Sequence, residues 1–233
     1  MFSEIRTMNT NEKVPEYFYI FTGRNPDSLY SQIEKYNIGL RDGTIISNGF
    51  QQMFSMNNPK VFLTGDVDYL PYIKNPDYFG GVSPFNRRIV ERYSIEYNLE
   101  VYRLQHYRHY PSRFSGLFAF GDYETCKNIS NKYPKIWKLE DCMKYKLKDC
   151  GVYNEYIKVV KTNYNIIGFL EHLGYGESIF GNEAVYDAYW KGQGNLKRAA
   201  YSEKGIVLPE RKVGARYEYI IEGILECSGK AVD

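Results

Sequence analysis

The most regular pattern in the chain lies near its end, in residues 216–227. Tyr217, Tyr219, Ile221, Leu225 and Cys227 alternate onto one face, while Glu218, Glu222 and Glu226 share the other with Ile220 and Ile224. A period of two sustained over that length predicts an extended strand. A second strand is expected at residues 17–21, Tyr-Phe-Tyr-Ile-Phe, and a short buried one at residues 116–120, Gly-Leu-Phe-Ala-Phe. Residues 61–63, Val-Phe-Leu, read as a further short strand within a loop-rich stretch.

Helices are interspersed among these strands. Asn25 can cap a helix with Pro26 at its first position and Leu29, Ile33 and Tyr36 on one face, stopped by Gly39. Ser83-Pro84 opens a second helix running to about residue 104, with Ile89, Tyr93 and Val101 as its core contacts. Asp122 can cap a third whose inner face is Cys126, Ile129 and Tyr133. Residues 182–190 form a fourth, with Val185 and Tyr189 one turn apart, while residues 152–160 and 166–173 fit strand or helix equally. The alternation of short strands and helices predicts an α+β fold: one domain with two small packed β-sheets forming a split cleft, flanked by helices. Residues 1–16 read as an N-terminal extension, 17–228 as the domain and 229–233 as a tail.

Composition narrows the function classes. The chain carries 24 Tyr beside 13 Phe and 2 Trp, and tyrosine suits half-buried sheets, clefts and interfaces because it joins a large ring to a polar tip. A net charge of +2 is too small to demand a polyanion partner. The polar stretch 1–16 predicts no signal peptide, and no apolar run approaches the ~18–20 residues a membrane helix needs. Cys126, Cys142, Cys150 and Cys227 are widely spaced without a C-x-x-C pair, which predicts reduced thiols in the cytoplasm rather than a disulfide framework or a zinc site. A leaderless exported effector would read the same.

Phosphate-binding Gly-rich loops, the G-x-S-x-G elbow and the H-E-x-x-H zinc motif are all missing from the sequence. His106 and His109 are spaced for one helical face but lack neighbouring ligands, and His172 stands alone, so no metal site is expected. Between Arg87 and Arg113, six arginines face three glutamates and are interleaved with Tyr93, Tyr97, Tyr102, Tyr107 and Tyr110. That mixture fits either a nucleic-acid track or a charged helix with core tyrosines. Arg113, set between Ser112 and Phe114-Ser115 just ahead of a buried strand, is the arginine singled out as a ligand contact.

Three separated segments carry a resemblance. They are residues 19–25 (Tyr-Ile-Phe-Thr-Gly-Arg-Asn, followed by Ser28, Ile33 and Gly39-Leu40), residues 111–120 (Pro-Ser-Arg-Phe-Ser-Gly-Leu-Phe-Ala-Phe), and residues 216–221 (Arg-Tyr-Glu-Tyr-Ile-Ile). Their order and spacing resemble the ADP-ribosyltransferase superfamily, including poly(ADP-ribose) polymerases and DarT-like toxins. The middle segment, with Tyr189-Trp190-Lys191-Gly192 further on, also resembles an uncharacterised bacterial family with a P-S-R-x-S-x-L-F-A-F core. The likeness covers roughly the first 40 residues, 111–130 and 214–224. Where the superfamily commonly has a histidine or arginine in its first strand, this chain has Ile20 and Thr22, and Phe118 stands where a tyrosine is frequent.

The resemblance implies an NAD-dependent mono-ADP-ribosyltransferase acting on a protein or nucleic-acid acceptor, as a toxin, effector or phage-conflict protein. It implies Glu218 as the catalytic carboxylate, and Thr22, Gly23, Arg24, Arg113, Ser115 and Phe118 as contacts to NAD. It further implies a substrate loop at 209–214 with Glu210 and Arg211 at its tip. No metal and no membrane partner are implied. A carboxylate beside the ribose suits this chemistry because the nicotinamide–ribose bond breaks through an oxocarbenium-like state. A glycine at position 23 lets a ligand approach the backbone, and an arginine fork matches phosphate oxygens. The alternatives are a non-catalytic module for nucleotide or nucleic acid, or a structural factor with tyrosine-rich surfaces. Read as structure alone, Gly23 is a turn, residues 117–120 a core strand, and Glu218 a solvated strand residue.

Overall fold

A central strand covered on both faces cannot show a simple in–out pattern of burial, and residues 217–222 have that property. Five of the six residues of this strand are buried, including both of its glutamates. A computed structural model describes residues 5–21, 43–54, 58, 60–64, 93–135, 137–173, 179–194, 196–198 and 211–231. In chain order its elements are β1 (Phe18–Phe21), β2 (Thr44–Ile46), α1 (Asn48–Met53), α2 (Lys60–Thr64), α3 (Tyr93–His106), β3 (Leu117–Ala119) and α4 (Tyr123–Lys132). They continue with β4 (Cys142–Leu147), β5 (Lys158–Asn163), α5 (Tyr164–Leu173), α6 (Ile179–Trp190), β6 (Leu196–Arg198), β7 (Arg211–Val213), β8 (Tyr217–Glu222) and β9 (Ile224–Lys230).

The fold is α+β, with two packed antiparallel sheets, as the sequence predicts. One sheet has the order β1-β4-β9-β2, the other β3-β8-β5, and β6 and β7 form a separate ribbon. The two sheets are stitched together twice. Tyr19 at the edge of the first bridges Phe120, just beyond β3, through N–H···O bonds of 2.8 and 2.9 Å. At the other junction the chain passes from β8 directly into β9 across Gly223, whose backbone N–H donates to Ser47 Oγ at 3.0 Å. The Gly223 carbonyl accepts from Ser47 N at 3.0 Å. The single strand expected over residues 216–227 is therefore two strands in two sheets, because Gly223 lets the chain turn out of one ladder into the next.

Apolar side chains fill both layers. Phe18, Ile20, Phe50, Phe114, Leu117, Val159, Ile221 and Leu225 pack between the two sheets. On the far face of β3-β8-β5, Val160 and Ile220 meet Ile95, Leu99 and Tyr102 of α3, Ile166, Ile167 and Leu170 of α5, and Val185, Tyr186, Tyr189 and Trp190 of α6. A smaller cluster of Phe21, Phe120, Cys126, Ile129 and Cys142 seats α4. Asp122 caps α4 by accepting from Thr125 N, as expected, although Tyr133 ends exposed at the C-cap. All four thiols are free. Among the described residues, no helix is long and apolar enough to cross a membrane.

Several elements differ from the sequence reading for physical reasons. Residues 61–63 lie in helix α2 instead of a strand, since three apolar residues carry no periodicity to separate the two. The buried register of α3 is Ile95, Leu99 and Tyr102, with Val101 half-buried, and residue 89 lies outside the described residues. The helix expected at 25–36 also lies outside them. Residues 152–160 resolve into a 3-10 turn, Gly151–Tyr156, followed by β5. Residues 5–14, expected as an extension, fold back onto β5: Met8 N donates to Val159 O at 2.8 Å, and Asn9 Nδ2 reaches Lys161 O at 2.6 Å. Residues 229 and 230 complete β9, and Ala231 N bonds Cys142 O at 3.0 Å.

The end of α6 explains the Tyr-Trp-Lys-Gly segment. Gly192 N donates to Tyr189 O and Gln193 N to Ala188 O, both at 3.0 Å, a Schellman pair that closes the helix with Gly192 left-handed at φ 63°. A Cβ on Gly192 would lie 2.5 Å from the carbonyl oxygen of Lys161 in β5. Gly192→Ala is therefore expected to lower the unfolding free energy by about 2 kcal/mol or more, combining left-handed strain with a backbone clash. A reduced urea midpoint at unchanged m-value checks it.

Candidate functional site

The side chains on one face of β8 are Glu218, Ile220 and Glu222, and their neighbours across the ladder in β5 are Thr162, Val160 and Lys158. In β3, Phe118 lies opposite Ile220. This face is covered by α3, which presents two adjacent stripes at helical spacing. Ile95, Leu99 and Tyr102 form the apolar one, and Glu96, Glu100 and Arg103 form a buried polar one. The loop ahead of β3 delivers Ser112, Arg113 and Ser115 into the same layer, all three buried. The result is a line of acidic and basic side chains buried between helix and sheet.

At one end Arg113 joins two carboxylates. Its Nε donates to Glu96 Oε2, and its Nη2 donates to Glu96 Oε1 at 2.8 Å. Its Nη1 donates to Glu218 Oε1 at 3.1 Å and to the hydroxyl of Tyr189. That hydroxyl donates in turn to Glu218 Oε1 at 2.8 Å, and Thr162 Oγ1 donates to the same oxygen at 3.3 Å. The guanidinium carbon lies 4.8 Å from the Phe118 ring centre and 5.1 Å from that of Tyr189, a cation sandwiched between aromatic faces. Burial pushes the Glu218 carboxyl up from its ordinary range and the charge of Glu96 adds to that, against the opposing pull of Arg113 and Thr162. Burial works against the Arg113 charge, yet the carboxylates of Glu96, Glu218 and Glu100 outweigh it and hold the guanidinium ionised.

At the other end Glu222 Oε1 accepts from Ser115 Oγ at 2.7 Å and from Ser112 N at 3.3 Å, and its Oε2 lies 3.7 Å from Lys158 Nζ. Ser112 Oγ donates to Glu100 Oε1 at 2.7 Å, an oxygen that also accepts from Arg103 Nη2 at 2.7 Å and Nε at 3.0 Å. Arg103 Nη1 ties the following turn down through the carbonyls of Arg108 and Tyr110, each at 2.9 Å. Burial lowers the affinity of Lys158 for its proton and the nearby Arg103 charge lowers it further, while Glu222 opposes both. Among the described residues the layer thus holds Glu96, Glu100, Glu218 and Glu222 against Arg103, Arg113 and Lys158, four acidic side chains to three basic ones.

The residues singled out in the sequence divide into three groups. Arg113 and Glu218 come into direct contact, with Phe118 beside them. Ser115 lies along the same network but bonds Glu222. Thr22, Gly23, Arg24 and Glu210 lie outside the described residues, as does the side chain of Arg211, whose backbone belongs to β7. Glu218 is 5% exposed, which overturns the reading of it as a solvated strand residue. Glu222 shares its face, but Glu226 belongs to the other sheet, where it pairs with Lys148 at the surface at 2.6 Å. His106 stacks on Tyr102 with ring centres 4.2 Å apart, away from this network. Sequence reasoning missed Glu96, Glu100, Arg103, Lys158 and the part played by Tyr189. Only the i, i+4, i+7 spacing of the first three carries a signal, and it is the spacing of any solvated helix face.

The described parts of the three resembling segments, residues 19–21 of the first among them, adjoin in space. The Tyr19–Phe120 bridge joins the first to the second, and the β3–β8 ladder joins the second to the third. The class these features define is an α+β fold with a buried Arg–carboxylate network between a helix and one of its sheets. The chain matches no family model and no curated protein. Among the described residues, no group of three or more His, Cys, Asp and Glu side chains is arranged to hold a metal ion.

Arg113→Ala leaves Glu96 and Glu218 buried without their shared cation. The expected cost is about 3–5 kcal/mol, the range for stranding one side of a buried pair. Chemical denaturation at pH 7 measures it, and Glu218→Gln, which removes a surplus carboxylate and keeps an acceptor for Tyr189, is expected to cost far less.

Proposed function

We propose that the chain is a mono-ADP-ribosyltransferase that cleaves NAD at its nicotinamide–ribose bond and transfers ADP-ribose to a protein or nucleic-acid acceptor. The observation that carries this reading is the Arg113–Glu218 contact where the second and third resembling segments adjoin, with Tyr19 of the first bridged to Phe120 of the second. Glu218 supplies the negative charge that stabilises the oxocarbenium-like ribose. Tyr189 and Thr162 fix its Oε1 oxygen by donating to it. Phe118, half-buried where its neighbours in β3 are buried, is the aromatic ring assigned to the nicotinamide. Arg113 and Ser115 are committed to carboxylates inside the protein, so they act on Glu218 and Glu222 instead of on the pyrophosphate. The pyrophosphate contact then falls to Arg24, with the Gly23 backbone for the nicotinamide amide and Thr22 as a further contact to NAD. The setting is the cytoplasm, of the producing cell or of a cell that receives the protein as a leaderless toxin, effector or phage-conflict factor.

A second reading draws on one feature of the same network. Glu218 already has a cation and two hydroxyl donors within the protein, which is how a purely structural buried carboxylate is satisfied. On that reading the chain is a non-catalytic module binding nucleotide or nucleic acid.

The purified protein mixed with NAD labelled in its ADP-ribose half and with cell extract separates the two. Label on a macromolecule is expected, and Glu218→Gln is expected to cut transfer by on the order of a hundredfold or more while leaving NAD binding nearly intact. Glu222→Gln is the control along the strand. Full activity in both variants removes the catalytic assignment. Salt-sensitive retention of RNA or DNA with no NAD turnover supports the binding module, because phosphate contacts weaken steeply with salt.

A further inference from the structure

A guanidinium offers two parallel N–H groups to one carboxylate and a single N–H edge to another, so two carboxylates around one arginine compete for it unequally. At Arg113 the paired edge goes to Glu96, through Nε and Nη2. Glu218 receives Nη1 alone, and shares that group with the Tyr189 hydroxyl. One carboxylate would neutralise Arg113, so the second leaves this group one negative charge in excess in a layer that excludes water.

Resting on the transferase reading of Glu218, we propose that Glu96 is a positioning residue: by holding the paired edge of Arg113 it withholds most of that cation from Glu218, and so sets the pH at which Glu218 becomes charged and able to act. Glu96 is joined to Glu218 by their shared hydrogen bonds to Arg113, and its charge also acts on Glu218 directly. Among the described residues, the buried ionisable and hydroxyl-bearing groups that share this layer with Glu218 include Arg113 from the loop before β3, Glu100 and Arg103 from α3, Thr162 and Lys158 from β5, Tyr189 from α6, and Glu222 on its own strand. Of these, only Arg113, Tyr189 and Thr162 contact Glu218 Oε1 directly. The upward push on the Glu218 carboxyl from burial and from Glu96 agrees with this arrangement.

The test is a titration of protein carrying glutamate labelled with carbon-13 at the side-chain carboxyl, with Glu218→Gln assigning the resonance. In the unsubstituted protein Glu218 is expected to take up its proton above the ordinary glutamate range. Glu96→Gln keeps one acceptor oxygen for Arg113 and removes the competing charge, and is expected to move the Glu218 midpoint down by about one pH unit or more. Glu96→Asp keeps the charge and is expected to restore the original midpoint. The acidic limb of kcat/KM for NAD should move with the Glu218 midpoint in each Glu96 variant. A merely structural Glu96 would lower the unfolding midpoint and leave both pH readouts in place, and that result overturns the proposal. So does a Glu218 that titrates at or below the ordinary range in the unsubstituted protein, a measurement that decides the matter even where Glu96→Gln fails to fold. If the carboxyl titrations move as expected but no variant turns over NAD, the hold of Glu96 on Glu218 stands and the transferase reading falls.

Discussion

Arg113 is the interaction around which the helix-side layer is organised. A guanidinium out of water must be surrounded by acceptors, and Arg113 finds them on three elements distant in sequence: Glu96 on α3, Glu218 on β8 and the hydroxyl of Tyr189 on α6. Its own position, immediately before β3, adds a fourth element to the set. No apolar contact specifies which helix lies over which strand as narrowly as a donor fork with fixed directions does. Burying such charges does not by itself add much stability, since desolvation offsets most of the attraction. What the network supplies is geometry: one register of α3 on the sheet satisfies these groups, and a helix shifted by one turn does not.

A second constraint sits at the junction of the two sheets. The strand that bears Glu218 and Glu222 leaves its ladder at Gly223 and enters the other sheet as β9, and Ser47 clamps that crossing through its backbone and its hydroxyl. The next residues open α1, where the N–H of Asn48 bonds Ser115 O at 2.9 Å. Gly49 makes this approach possible, because a Cβ there would lie 2.5 Å from Glu222 Oε1. The crossing, the helix start and the carboxylate network therefore meet at one place. The two sheets cannot shift relative to each other without breaking polar contacts that have no water to replace them.

The legibility of the site was uneven, for reasons that can be traced to particular residues. Glu218 was singled out through the resemblance of its strand, and Arg113 through its place amid serines ahead of an apolar run. Their burial was not legible. An alternating strand with glutamates on one face has the pattern of a sheet facing solvent, and only the covering helix reverses that. Glu96, Glu100 and Arg103 were hidden for the matching reason: on a helix their spacing describes a charged outer face unless another element carries countercharges to meet it. Lys158, at the first position of a strand, gave no sign that Glu222 would lie across from it. Ser115 was singled out but turned to Glu222, which its neighbours in the sequence do not reveal.

By itself the sequence determined the elements whose signals are local. The strands at 17–21 and 117–119, the Asp122 cap of α4 and the helix ending at Trp190 rest on caps, turns and short-range periodicity, which act within a few residues. It also determined the α+β class, since interspersed short strands and helices leave few other ways to bury their apolar faces. The tertiary structure alone decided that residues 216–227 divide between two sheets and that the glutamates of β8 face inward. It likewise decided that a helix with the spacing of a solvated surface turns that face to the sheet. The physical reason is that charge pairing and burial depend on which distant segment lies opposite, and no residue carries that information until the chain has folded.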